Sequence, residues 1–203
     1  MKFNRILGGA FGVFLLAACS GGSGDSSDSG NQPPPTSDST QARFSCQPVG
    51  GGTATLAQSC IACWQGALAE REKAIDTRLD TAATLQLYNP QDTAGQQSII
   101  QLTATAQPGV VFPAGSRPGL ILGLPNPRNV PFLVQLQTCL ADSCGEPQSR
   151  LSTDIDGDIA YLDFSQPQAS AFDAVRVSFA QIGGALETQN LKLYEFCADG
   201  SAR

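Results

Sequence analysis

Asp154-Ile155-Asp156-Gly157-Asp158 sets three carboxylates at alternate positions around a glycine. A hard cation such as Ca²⁺ is held by clustered oxygen ligands on a tight turn, and this spacing is like the start of an EF-hand loop. The twelfth position, where such a loop carries a bidentate Glu, is Ser165, and the nearest acid is Asp163. Asp and Gly also serve a plain solvated turn between strands. Asp154, Asp156 and Asp158 are therefore at once a candidate cation site and a candidate turn.

Cys60-Ile-Ala-Cys63 is the second chemical motif, since C-x-x-C serves redox centres, zinc sites and haem attachment. Haem attachment needs His after the second Cys, and Trp64 stands there; zinc would need further thiols or His, and the chain has no His. A redox C-x-x-C belongs between a strand and a helix of a βαβ unit, whereas the sequence downstream is strand-rich. A structural disulfide is the better reading. Besides Cys19 there are six cysteines, Cys46, Cys60, Cys63, Cys139, Cys144 and Cys197, and an even number fits an oxidising compartment. Cys139 and Cys144 enclose four residues and suit a bridge across a hairpin tip. Cys46 and Cys197 bracket the domain, and pairing them would leave Cys60 with Cys63.

The missing His removes the usual neutral-pH acid/base and every His-dependent triad. A carboxylate pair drawn from Asp76, Asp80, Asp156, Asp158 and Asp163 could hydrolyse a glycosidic bond, but their spacing does not set the separation that this chemistry needs. No S-x-x-K is present. For stacking on sugar rings the chain offers Tyr88, Tyr161 and Tyr194, with Trp64 read as core.

The elements that would carry these residues begin after residue 43. Lys2 and Arg5 precede an apolar run from Ile6 to Leu16, which is too short for a mature spanning helix and reads as a signal peptide. The run ends in Leu16-Ala17-Ala18-Cys19, which matches the bacterial lipobox. Residues 1–18 are thus a lipoprotein signal peptide, and Cys19 is the expected lipidation site. Three acyl chains at about 0.8 kcal/mol per buried methylene would anchor the protein permanently. Ser20 follows Cys19, whereas lipoproteins retained in the inner membrane usually have Asp there, so the resemblance implies the outer membrane. Residues 19–43 form a tether. Ser20 to Gln41 contains no aliphatic or aromatic residue and cannot offset its ordering entropy. Its reach is roughly 25 to 30 Å root-mean-square.

Residues 44–199 have the length of one domain, with 200–203 as a tail. Losing Lys2 and Arg5 with the leader takes the 12 basic residues to 10, against 18 acidic ones. That acidic balance, without a basic cluster, excludes nucleic acid and anionic lipid surfaces as partners of the protein surface. Period-two alternation predicts strands at Leu85 and Leu87, at Ile100, Leu102 and Ala104, over Gly119 to Leu124, and at Phe132, Val134 and Leu136. It continues at Ala160, Leu162 and Phe164, at Val175, Val177 and Phe179, and at Leu191 and Leu193. A helix is expected over Trp64 to Ile75, with Trp64, Leu68 and Ile75 on one face. About eight short strands, one short helix and the disulfides predict an all-β sandwich of jelly-roll type.

Cys60-Ile-Ala-Cys63, Lys73-Ala74-Ile75-Asp76 with Leu79 to Thr81, Ala171 to Val177, and Leu191-Lys192-Leu193-Tyr194-Glu195-Phe196-Cys197 together resemble bacterial cell-surface modules of the galactose-binding-like, discoidin-type group. The resemblance implies that sandwich and a glycan or matrix ligand. It also implies a calcium-holding loop at Asp76. In that loop the chain departs from the group's pattern, with Glu70 in place of Asn and Thr77-Arg78 in place of Gly-Asp or Gly-Asn. The sequence thus supports a membrane-tethered, non-catalytic binding module for glycan or extracellular matrix, with Ca²⁺ as the only implied cofactor. The alternative is a structural or assembly lipoprotein docking onto another envelope protein, and a carboxylate-dependent glycan-active enzyme comes last.

Overall fold

The computed structural model describes residues 42–50, 54–61, 67–87, 99–125, 131–141, 143–164, 166–181 and 188–203. Cys19 with its leader, the tether as far as Gln41, and Cys63, Trp64 and Tyr88 lie outside them. So does the expected Cys60–Cys63 pairing.

Twelve strands among the described residues form two antiparallel sheets, so the chain is a β-sandwich. The first sheet holds β1 (Phe44–Pro48), β3 (Leu68–Ala69), β4 (Ala83–Leu87), β6 (Gly119–Gly123), β10 (Ile159–Asp163) and β12 (Gln189–Ala202). Their order is β10-β6-β12-β4-β3, with β1 also on β12. The second holds β2 (Thr55–Ile61), β5 (Ile99–Thr105), β7 (Phe132–Leu140), β8 (Ser143–Cys144), β9 (Gln148–Leu151) and β11 (Ala174–Gln181). Here the order is β2-β5-β11-β7, with β8 and β9 both on β7. The predicted strands correspond to β4, β5, β6, β7, β10, β11 and β12. The additions are two-residue pairings and edge strands, which are too short or too polar to show alternation.

Alternation places the core. On β11, Val175, Val177 and Phe179 point inward and lie opposite Ala104, Leu102 and Ile100 of β5 on one side. On the other side they face Thr138, Leu136 and Val134 of β7. Leu85, Leu87, Leu120, Leu122, Leu191 and Leu193 close the core from the first sheet, all within 2 % of full burial. Each such side chain contributes about 1.5 to 3 kcal/mol by leaving water.

A bulge in β12 reassigns its last half. Leu193 pairs with Leu122, but the next partner pair is Glu195 with Ile121, so Tyr194 is the extra residue. An extra residue flips the parity of everything beyond it. Leu191 and Leu193 face the main core, and past the bulge it is Phe196 and Ala198 that do so. Cys197 turns to the outer face of the sheet. There it is buried with Phe44 and Ile121 in a second cluster, against partly buried Tyr161, Tyr194, Ile159 and Leu79. On that face Cys197 bonds Cys46 of β1. The second described disulfide, Cys139–Cys144, joins β7 to β8.

Two expectations are corrected. Within the described part of the expected helix, Leu68–Ala69 is strand β3 and Arg71–Ala74 a 3-10 turn. Pairing of Leu68 with Leu85 on the sheet edge outweighs the weak helical preference of so short a segment. The tail expected at 200–203 is instead largely strand, because β1 pairs Phe44 with Ala202 and Ser45 with Ser201.

Candidate functional site

The outer face of the first sheet is built around glycines. Tyr161 leaves β10 and crosses β6 and β12. A Cβ at Gly119 would sit 2.8 Å from its Cζ, and one at Gly200 would sit 2.7 Å from its hydroxyl oxygen. The hydroxyl donates to the Arg117 carbonyl at 2.8 Å. Burial pushes the phenol well above its ordinary range, so it remains a neutral donor. Tyr194 lies against Gly123 in the same way, its ring carbon 3.0 Å from a Cβ placed there. Only glycine leaves room for rings packed flat on a sheet.

Beside Tyr161 an open cleft of about 370 Å³ is lined by Arg43, Arg150, Asp154, Asp156, Tyr161 and Arg203, among others. Its floor includes Phe44, Ile155 and Ile159. Arg43 donates to the Ile159 carbonyl at 3.1 Å, and its guanidinium is 3.5 Å from the Asp158 carboxylate and 5.5 Å from the Phe44 ring centre. Asp158 is held below its usual range, first by its own backbone N–H and then by Arg43. Arg150 donates to the Asp163 carbonyl at 3.3 Å and to its carboxylate at 3.4 Å. Arg203 is fixed by its backbone N–H on the Arg43 carbonyl at 2.9 Å.

The three aspartates singled out as a cation site therefore divide. Asp154 and Asp156 line the cleft, while Asp158 is taken by Arg43 and by the Ile159 N–H at 3.0 Å. Among the described residues no three His, Cys, Asp or Glu side chains gather as a metal set. Guanidiniums in the same lining also repel a cation. Gly157, with φ of 76°, makes the turn.

The calcium loop implied by resemblance is a separate arrangement. Asp76 accepts the Arg78 N–H at 2.9 Å on one oxygen and the Thr81 hydroxyl at 2.8 Å on the other. Glu195, fully buried under this loop, accepts the Thr77 N–H at 2.8 Å through Oε2, and its Oε1 is buried with no hydrogen-bond partner. Burial, followed by the charge of Asp76, pushes its carboxyl up to about 8. An orphaned buried carboxylate oxygen beside a second carboxylate and a hydroxyl fits a hard cation. Asp76, Thr81 and Glu195 would hold it, and it would neutralise the two acids and stiffen the loop. Glu70 and Thr77, the positions that depart from the group's pattern, both adopt left-handed φ, 54° and 67°, a region in which Asn or Gly is at ease. Thr77→Gly is accordingly expected to stabilise the protein by about 1 kcal/mol, read as a raised denaturation midpoint. An unchanged or lowered midpoint would show that Thr77 is not strained there.

Sequence reasoning reached Tyr161, Asp154 and Asp156 but missed Arg43, Phe44, Arg150, Arg203 and Glu195. The arginines are scattered along the chain and carry no motif. Glu195 had a signal, a lone acid in the apolar run Leu193-Tyr194-Glu195-Phe196-Cys197.

No family model matches the chain, and no curated protein does. Among solved structures it is similar to chitosan-binding module 1 of a chitosanase/glucanase from Paenibacillus sp. IK-5, with 14% identity and a TM-score of 0.40 over 74% of this chain and 97% of that one. It is also similar to TmCBM61 in complex with β-1,4-galactotriose, at 12% identity and TM-score 0.39 over 75% and 92%. A Streptococcus pneumoniae fucose binding module matches at 12% identity and TM-score 0.39 over 76% and 96%.

Proposed function

We propose that this protein is a non-catalytic envelope lipoprotein whose β-sandwich binds a neutral glycan in the Tyr161 cleft. The observation that carries the reading is the composition of that cleft. Guanidinium and carboxylate groups offer paired donors and acceptors to vicinal hydroxyls, while the partly buried Tyr161 and Ile159 offer apolar surface to the C–H face of a sugar ring. Arg43 and Arg150 are each matched by an aspartate, which leaves little net charge to attract an ion.

Catalysis by the candidate carboxylates is disfavoured by the same contacts. Asp80 is held down by Arg78, and Asp158 by its own N–H and Arg43, whereas a general acid needs a raised pKa. The raised acid, Glu195, is sealed beneath the loop.

Binding to a panel of neutral and anionic oligosaccharides tests the reading. Asp156→Ala and Arg203→Ala should each weaken neutral-glycan binding by about ten- to hundredfold, in line with roughly 1.5 to 3 kcal/mol for a hydrogen bond to a charged group. Binding should be insensitive to salt. A preference for anionic glycans that fades with salt would overturn it.

The lipid anchor rests on the lipobox. Cys19→Ala is expected to abolish membrane attachment and incorporation of labelled palmitate. A variant that still sediments with carbonate-washed membranes would defeat the assignment. Lipid attachment through Cys19 and delivery to the outer membrane would place the domain on a tether of roughly 25 to 30 Å, free to meet a glycan beyond the headgroups.

A further inference from the structure

We infer that the cleft takes an internal stretch of a linear oligosaccharide, several units long, which lies across the outer face of the first sheet from Tyr161, over Phe44 and Arg203, to Thr77 and Leu79. This rests on the glycan reading above and adds the length and course of the ligand.

A second open depression, about 470 Å³, adjoins the cleft, and Phe44, Cys46, Thr77, Leu79 and Arg203 line it. Phe44 and Arg203 line both. The two hollows are therefore neighbours on either side of Phe44 and Arg203. A site for a single terminal sugar closes around the end of its ligand, whereas here each hollow opens to solvent and the two share Phe44 and Arg203 as lining. The chemistry changes smoothly along the way. The Tyr161 end carries paired charges, the middle has Arg203 beside the almost fully buried Phe44, and the far end has the exposed Thr77 beside the partly buried Leu79. Alternating hydroxyl and C–H surfaces of a neutral sugar chain match such a sequence of contacts.

The far end is also firmly built. The Thr77 N–H is tied to Glu195 at 2.8 Å, Arg78 bridges to Asp80 at 3.0 Å, and Cys46 is bonded to Cys197. The groove is thus framed before a ligand arrives, which lowers the ordering cost of binding.

The test is a length series of neutral β-1,4-linked gluco- and galacto-oligosaccharides, from monosaccharide to hexasaccharide, titrated by calorimetry into the full-length protein in detergent. Affinity should rise about tenfold or more, roughly 1.4 kcal/mol, between monosaccharide and tetrasaccharide. Thr77→Gly, which keeps the backbone path, should remove much of that rise and leave monosaccharide binding unchanged. Arg203→Ala should weaken all lengths.

Equal affinity for monosaccharide and hexasaccharide would overturn the extended course while leaving glycan binding itself standing. A length gain that survives both Thr77→Gly and Leu79→Ala would place the rest of the ligand elsewhere and overturn it too. Binding of no saccharide at any length would defeat the glycan reading and this inference together.

Discussion

Replacing Cys46 and Cys197 together by alanine is expected to destabilise the domain by about 5 kcal/mol, the largest effect of any change considered, because the bridge closes a loop with a sequence separation of 151 residues. The same treatment of Cys139 and Cys144, only 5 residues apart, should cost about 2 kcal/mol. Denaturant midpoints of the two double variants, measured without reductant, check the ranking. The functional result should follow the structural one. Release of β1 from β12 frees Phe44 and the chain end at Arg203, so glycan binding should fail in the first variant and persist in the second. If the two losses are equal, or the Cys139/Cys144 loss is larger, Cys46–Cys197 is not what holds the terminal strands together.

Glu195→Gln should raise stability at pH 8 and above and do little near pH 4. The folded carboxyl sits near 8 against an ordinary 4.5, so between those values the unfolded chain releases a proton that the native state keeps. Stability is then full below pH 4.5, falls as pH rises toward 8, and levels off beyond. The slope is roughly 1.4 kcal/mol per pH unit, which over this window amounts to a few kcal/mol. Gln keeps the acceptor for the Thr77 N–H and has no charge to bury, so its profile should be flat where the wild type slopes. Thermal melts in EDTA from pH 4 to pH 9 make the comparison. Added Ca²⁺ should flatten the wild-type slope as well, because a cation beside Asp76 and Glu195 favours the ionised form. Parallel profiles for wild type and Glu195→Gln would mean that Glu195 reaches water.

Asp156→Asn offers a useful contrast in the same experiment. Asp156 lies in a cleft lined by guanidiniums, outside the loop around Asp76. Any calcium-dependent gain should therefore survive Asp156→Asn and vanish in Glu195→Gln. The contrast separates the acidic run that stands out in the sequence from the arrangement assembled by folding.

Local patterning determined the sandwich. Where Ile100, Leu102 and Ala104 or Val175, Val177 and Phe179 alternate with polar neighbours, a strand with one buried face is the one arrangement that removes all three apolar groups from water, and β5 and β11 follow. The stretch from Gly119 to Leu124, apolar at every position, was equally legible as a strand buried on both faces, although what covers its outer face was not. The part of the expected helix from Leu68 to Ala74 is instead a strand and a 3-10 turn because propensity over a few residues is worth tenths of a kcal/mol, less than one edge pairing and its buried leucine.

What only the tertiary structure decided follows from one extra residue in β12. Strict alternation from Leu191 and Leu193 carries Glu195 and Cys197 into the main core. The bulge at Tyr194 turns both to the opposite face, where Cys197 meets Cys46 and Glu195 meets Thr77. A bulge depends on pairing with β6, about 70 residues away in the chain, and no local pattern encodes it. The same holds for the cleft. Arg43, Arg150 and Arg203 are far apart in sequence and have no common motif; they converge because β1 pairs with the end of β12 in the first sheet, while Arg150 reaches across from β9 of the second sheet to Asp163 of β10. Alternation is a property of neighbours along the chain and can be read from it, whereas convergence is a property of register between distant strands and appears only when they pair.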